Sequence, residues 1–391
     1  MNRNLLIILD KTLFSFLFYF FLPVSKILNN KIKNKSLNII GNEHFLVIRP
    51  GGLGDGIMSI PLLRSIKENF PNSKTTLLCL KKTKAVFECI PYYDNIYILD
   101  HIKDIIRFFK ESILLRNDYD IVFDLEQFRK VTSLISCISG ANIRIGFDTN
   151  KRRLLYTNFV TYPNEKNFES VNMVRQLEVI GVNVSKEEAE NIKFTLPKSV
   201  EERGLSILKS VNINTKHDFI VAVFPGVLKL HHRWKMAEFA NLIKIILHED
   251  NKTRVLLMGT PADIPDSEEV MGYIGNNEKV VNLVGKTKFI ESLGILKACE
   301  ILISCDGGAV YMGASMGCKT ISIWGPGVME RFKPPGDDHV GIRKNYYCIP
   351  CVNYSRLGEF PACPYNRRCI NDITASEVIS EYINIKNNII Y

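Results

Sequence analysis

Between residues 45 and 147 the chain alternates short apolar runs with longer stretches that carry apolar residues at helical spacing. The runs that read as strands are Phe45 to Ile48, Thr75 to Leu80, Asn95 to Leu99, Ile121 to Phe123 and Ile143 to Ile145, with helical patterns at 56–69, 83–89, 102–116 and 127–139. Near-continuous apolar strands separated by helices predict a parallel sheet covered on both faces. Residues 151–167 are polar and irregular, Phe168 to Ile180 predicts a helix, and 185–200 holds a charged segment ending at Pro197. A second alternating set begins at Phe219. Its strands are Phe219 to Phe224, Arg254 to Met258, Val280 to Val284, Ile301 to Ser304 and Thr320 to Trp324, with helices at 235–248, 267–275, 289–299 and 308–316. The pattern predicts an α/β chain of two doubly wound domains, 41–200 and 201–372, facing a cleft, followed by a helical tail over 373–391. No repeat of roughly 20–50 residues is present, which excludes solenoids and propellers.

Residues 1–40 follow a different pattern. LFSFLFYFFLPV at 13–24 is uncharged and aromatic, with Asp10 and Lys11 before it and Lys26, Lys31, Lys33 and Lys35 after it. A signal peptide would need a basic start and a small-residue cleavage site, and a spanning helix would be longer and free of Pro23. Two readings fit: a helix lying on an anionic membrane surface beside its lysines, or one packed on the body of the protein or on a partner subunit.

The 391 residues exceed one ordinary core, and 46% hydrophobic content is that of a globular protein. A net charge of +9 suggests an anionic partner, such as a membrane surface, a nucleotide or a phosphorylated glycolipid. Arginine-rich arrays interleaved with aromatics are missing, which argues against nucleic acid. Of the ten cysteines, Cys79, Cys89, Cys137, Cys299, Cys305 and Cys318 are scattered in largely apolar runs, as expected of reduced residues in a cytosolic protein.

The stretch FLVIRPGGLGDGIMSIPLLRSIKENFP, residues 45–71, joins a strand to a helix through Gly51-Gly52-Leu53-Gly54 and Asp55. Such a loop lets backbone approach a ligand, and the N–H groups of a helix start favour anions. It is neither a dinucleotide fingerprint, because Ile57 stands where the last glycine belongs, nor a P-loop, because no Gly-Lys-Ser/Thr follows. Asp55 reads either as a helix cap or as an exposed carboxylate at the carboxyl end of the first strand, where open α/β sheets carry their sites.

RPGGLGDGIMSIPLLRSIKENFP resembles the N-terminal signature of glycosyltransferase family 9, the heptosyltransferases, in which R-x-x-x-x-G-D-x-x-x-x-x-P precedes a helix. ILISCDGGAVYMGASMGCKTISIWGP at 301–326 resembles that family's donor-binding motif, and the resemblance runs over roughly residues 44–380. It implies the GT-B fold of two Rossmann-like domains and a C-terminal helix crossing back to the first domain. It further implies an inverting transfer of a heptose or related sugar from an ADP-heptose-like donor to lipopolysaccharide core or another surface glycan. Asp55 would be the general base, and Gly52, Leu53 and Gly54 would contact the donor. Asp306, Gly307 and Gly308 would hold the donor, with Gly307 in place of the family's Ser/Thr and Tyr311 in place of its His. FPGVLKLHHRW at 224–234 aligns with a basic stretch ending in Trp, which makes Gly226, Lys229, His232 and Arg233 diphosphate contacts. Met258, Gly259, Lys286 and Thr287 end neighbouring strands and are donor candidates too. YDIVFDLEQFRK resembles D-x-Q-x-x-x-K with Gln127 displaced by one. Lys130, Arg152 and Arg153 are the candidates for acceptor phosphates, against the alternative of a solvated charged face.

Cys348, Cys351, Cys363 and Cys369 form C-x2-C-x11-C-x5-C, a spacing that suggests a structural zinc or iron site. Catalysis itself requires no cofactor in this reading. The expected setting is cytoplasmic, peripheral on the inner face of the membrane. A nucleotide-sugar epimerase of the same fold and a non-catalytic glycan-binding relative are the alternatives.

Overall fold

A computed structural model describes residues 8–32, 39, 41–114, 119–163, 167–227, 229–351 and 362–390. The chain divides into two compact units, the first running to Ile192 and the second starting at Lys193.

In the first unit six parallel strands form one sheet: β1 His44–Arg49, β2 Lys74–Cys79, β3 Asn95–Ile98, β4 Ile121–Asp124, β5 Ile143–Phe147 and β6 Asn158–Val160. Their order is β3-β2-β1-β4-β5-β6, with Phe45 in register with Thr75 on one side and Ile121 on the other. Central β1 is flanked on both edges and covered on both faces, so Phe45 to Ile48 are fully buried. The second unit repeats the design with β7 Phe219–Phe224, β8 Thr253–Leu257, β9 Val280–Asn282, β10 Ile301–Cys305, β11 Lys319–Trp324 and β12 His339–Arg343, in the order β12-β11-β10-β7-β8-β9. Counted within each unit, both sheets read 3-2-1-4-5-6. The winding therefore reverses beside the first strand, between β1 and β4 and again between β7 and β10. Crevices at the carboxyl ends of strands at such a reversal are where open α/β sheets bind ligands.

Several elements differ from the sequence expectation for physical reasons. The helix expected over 56–69 breaks into Leu53–Met58 and Ile60–Asn69, because Pro61 has no N–H for the Ile57 carbonyl. Strands β6 and β12 lie at sheet edges: β6 is only three residues long, and β12 is half-buried along its whole length, so neither shows an apolar run. The charged segment near 200 continues into a helix, Lys198–Ser210, whose Gly204 packs on Gly294 of the Phe289–Leu296 helix. A Cβ on Gly204 would lie 2.2 Å from the Gly294 carbonyl carbon. That contact ties Lys198–Ser210 to the second unit and moves the boundary ahead of residue 200.

The terminal helix, Ala375–Ile390, packs on the second unit. Its Val378, Ile379, Tyr382 and Ile385 belong to the second unit's core, with Phe239, Ile246 and Ile321. The N-terminal helix, Leu13–Ile32, packs Phe14 and Phe18 into the first unit's core. Just ahead of it, the Asp10 carboxylate accepts the N–H groups of Lys130 and Val131 (3.3 and 3.1 Å) at the start of the Lys130–Ile138 helix. Among the described residues no helix is long and apolar enough to cross a membrane. Lys33 and Lys35 lie outside the described residues.

Candidate active site

In the first unit the turn after β1 is built around Asp55. Its Oδ2 accepts the Gly52 N–H at 2.7 Å, closing the first turn of the Leu53–Met58 helix, and its Oδ1 accepts Arg49 Nη2 at 2.7 Å. Arg49 is 1% exposed and also donates to the Leu125 carbonyl at 2.9 Å, which ties the end of β1 to the loop after β4. Gly51 is obligatory here, because a Cβ would come within 2.4 Å of the Asp55 Cβ. Asp55 is not the N-cap, which is Gly52, but the third residue of the helix, where its carboxylate closes the first turn and its side chain remains 38% exposed. Gly52 and Leu53 are half-buried beside it, while Gly54 is buried inside the turn.

Arg49 continues into a buried polar chain that sequence reasoning missed. Its Nη1 lies 3.5 Å from Gln127 Oε1, and Gln127 Nε2 donates to Glu169 Oε1 at 2.6 Å. Glu169 is fully buried and also accepts the Tyr162 hydroxyl (3.0 and 2.9 Å) and Asn172 Nδ2 (3.3 Å). The signal for Arg49 was present in the R-x-x-x-x-G-D motif; nothing local marks Glu169.

Two acceptor candidates are corrected. Arg152 is fully buried: its Nη2 donates to Asp124 Oδ2 at 2.6 Å and to Thr132 Oγ1 at 3.0 Å. The Tyr156 hydroxyl reaches the same Asp124 oxygen at 2.6 Å. Burial pushes the Asp124 carboxyl up, against the opposing pull of Arg152 and the Tyr156 hydroxyl. Arg152 is thus the counter-charge of a buried carboxylate, which the sequence could not distinguish from a surface cation. Lys130 Nζ is turned onto the N-terminal helix, 3.1 Å from Ser15 Oγ and 5.5 Å from the rings of both Phe18 and Tyr19. Arg153 alone of the three is exposed, beside the Phe159 ring.

In the second unit the loops after β7 and β10 meet at the sheet's reversal. His232 Nδ1 lies 2.9 Å from Asp306 Oδ2, with the two side chains 1% and 9% exposed. Gly327 closes over the pair, since a Cβ there would lie 2.8 Å from Asp306 Oδ2. Gly307 and Gly308 open the Gly308–Met316 helix, whose first N–H groups favour an anion. Around Gly307 nothing lies within 3.8 Å of a would-be Cβ, so a hydroxyl residue would fit there. Tyr311 is corrected: it is 5% exposed, and its hydroxyl donates to the Phe332 carbonyl at 2.7 Å. The imidazole beside Asp306 is supplied from the other loop.

The remaining donor candidates sit along the same carboxyl edge, engaged to different degrees. Arg233 pairs with Asp266, Trp234 donates to the Ile373 carbonyl at 2.8 Å from the core, and Lys229 is half-buried. Gly226 faces Asp263, where a Cβ would come within 2.2 Å of Oδ1, and Asp263 also accepts the Thr260 N–H at 2.7 Å. The Met258 side chain is fully buried and so cannot reach a ligand, while the Gly259 carbonyl accepts the Gly285 N–H at 3.1 Å. Lys286 Nζ donates to the Asn282 carbonyl at 2.8 Å, and Thr287 Oγ1 lies 2.8 Å from Ser292 Oγ.

The model of the family "Glycosyltransferase family 9 (heptosyltransferase)" matches residues 106–359. The chain belongs to glycosyltransferase family 9. This family 9 enzyme is 25% identical over 340 residues to lipooligosaccharide heptosyltransferase 2 of Campylobacter jejuni, across 85% of this chain and 96% of that protein. Its fold is similar to that of a family 9 glycosyltransferase from Veillonella parvula (TM-score 0.73, 18% identity, 90% of this chain and 99% of the other). It is also similar to E. coli ADP-heptose LPS heptosyltransferase II (TM-score 0.69, 17% identity, 88% and 98%). The glycosyltransferase thus has the two-domain α/β GT-B fold. Asp55 lies ahead of the matched segment.

The tail cysteines of the glycosyltransferase share one cavity of about 230 Å³, lined by Cys348, Cys351, Cys363 and Cys369 with His231 and Pro326. Burial, then the neighbouring thiols Cys351, Cys363 and Cys348, pushes Cys369 up to about 11. Burial likewise raises Cys351, followed by Cys348 and Cys363. Cys363 Sγ accepts the Arg367 N–H at 3.2 Å. Among the described residues no three His, Cys, Asp or Glu side chains are placed to hold a metal ion. The spacing brings the thiols to one cavity; residues 352–361, between Cys351 and Cys363, lie outside the described residues.

Proposed function

We propose that this enzyme transfers a heptose or related sugar from an ADP-linked donor to a lipopolysaccharide-type acceptor in one inverting displacement. Asp55 removes the acceptor hydroxyl's proton as the bond to the anomeric carbon forms. The observation that carries this reading is the placement of Asp55: its carboxylate is held by Arg49 and the Gly52 N–H, yet its side chain stays 38% exposed. The donor diphosphate goes to the second unit's reversal, on the N–H groups of Gly307 and Gly308 beside the His232–Asp306 pair. Cations of the loop after β7 offset charge on the departing nucleotide. No step calls for a metal or organic cofactor. A lipid-linked acceptor places the reaction at the cytoplasmic face of the membrane, and Arg153 is the exposed cation offered for acceptor phosphate.

Asp55→Asn is the test. Turnover should fall by roughly 10²–10⁴-fold, the usual worth of general-base catalysis. ADP affinity, measured by calorimetry, should hold. Some thermal stability will be lost with the Arg49 ion pair, so assays belong well below the melting temperature. Near-normal turnover at that temperature would assign the base elsewhere. Proton NMR of the product should show the inverted anomer, and retention would rule out a single displacement.

A further inference from the structure

Over residues 13–25 the Leu13–Ile32 helix carries apolar residues on two opposite sides. One side carries buried Phe14 and Phe18, with buried Ser25 on the same line. The other carries Leu13, Phe16, Tyr19, Phe20 and Pro23, whose spacing places them together on a helix. Phe16 is 69% exposed, Phe20 65%, Tyr19 49% and Leu13 40%. No charged residue occurs from Thr12 to Ser25. A helix apolar all round belongs in an interior or in lipid, and here only half of it is inside the protein.

The exposed face continues onto the neighbouring turn, Thr149–Leu155. Ser25 Oγ donates to the Leu154 carbonyl at 3.2 Å, and Lys151 Nζ lies 3.5 Å from the Tyr19 hydroxyl. Leu154 and Phe159 are 42% and 48% exposed, and the Arg153 guanidinium sits 5.8 Å from the Phe159 ring. Exposed Lys11 and Lys26 mark the two ends of the uncharged stretch.

We propose that this face docks on an anionic bilayer, with the helix in the membrane plane. The aromatics enter the boundary between headgroups and acyl chains, and Lys11, Lys26, Lys151 and Arg153 meet lipid phosphates. Charge selects this occupant over a second copy: two such faces would bring like-charged rims together on a chain of net charge +9. The inference rests on the membrane-side setting of the proposed function and names the surface responsible.

The test compares the full chain with a Phe16→Ser/Phe20→Ser variant by co-sedimentation with phosphatidylglycerol-containing and pure phosphatidylcholine vesicles. The unaltered chain should bind the anionic vesicles, bind phosphatidylcholine far less, and release as salt is raised. Each lost aromatic should weaken partitioning by about tenfold, with melting temperature and ADP binding unchanged because both side chains are outside the core. Equal vesicle binding by the two proteins would overturn the proposal. So would absent binding together with a dimer that the variant converts to monomer, since a second copy would then cover the face. ADP affinity reads the donor site separately, so either reading can fail while the other stands.

Discussion

At the residue scale, the two carboxylates that matter most are held differently, and their variants should behave differently. Asp55 is fixed by Arg49 and the Gly52 N–H, whereas Asp306 is paired with His232. If the pair acts as a unit, Asp306→Ala and His232→Ala should each weaken ADP binding by about tenfold, a charge-assisted contact's worth, and the double variant should lose little more. Calorimetric losses that simply add would mean the residues act independently. Asp55 and Asp306 were legible because each follows an apolar strand and sits among glycines, a local signature. Arg152, Lys130 and Tyr311 were misassigned for a common reason: sequence shows that a side chain is charged or polar, but not which way it points. Burial beside Asp124, the face of Phe18 and the Phe332 carbonyl are long-range facts. Glu169 escaped notice because its partners are assembled from separate segments.

At the element scale, the strands with apolar runs were readable, and edge strands β6 and β12 and the packed glycine helix were not. Gly204 and Gly294 bring two helix backbones into contact. Gly204→Ala should force them apart and lower stability by roughly 1–3 kcal/mol, seen as a lower melting temperature. An unchanged melt would mean the helices can separate freely. Edge strand β12 carries a pH-sensitive residue. His339 Nδ1 lies 3.0 Å from Thr320 Oγ1, and burial, then Lys333, lowers its pKa from 6.5 to about 4. The unfolded chain therefore takes up this proton first. Its contribution to stability is whole above pH 6.5 and drains as pH falls toward 4, at a limiting slope of about 1.4 kcal/mol per pH unit for one proton. Denaturant titrations of His339→Gln should show a shallower decline over that window; identical slopes in both proteins would assign the effect to other groups.

At the scale of the whole molecule, two sheets of one winding order each place a carboxylate at the carboxyl edge where the winding reverses, Asp55 after β1 and Asp306 after β10. The number of domains was legible, because strand–helix alternation stops and restarts. The strand order was not, since alternation alone does not say which strands become neighbours. With its terminal helix seated in its own core, the second unit has the parts to fold alone, and a fragment starting at Lys193 should bind ADP much as the full chain does. Loss of binding in a folded fragment would mean that the first unit completes the nucleotide site. The N-terminal helix bears on how this protein could be made easier to handle. Cutting at residue 40 resembles trimming a greasy leader, the usual remedy for a sticky protein. Here the cut would also strip Phe14 and Phe18 from a core wall and the Asp10 carboxylate from the start of another helix. The shortened chain would trade a surface that adheres to lipid for an interior open to water, so repainting the outward side chains is the better remedy than the scissors.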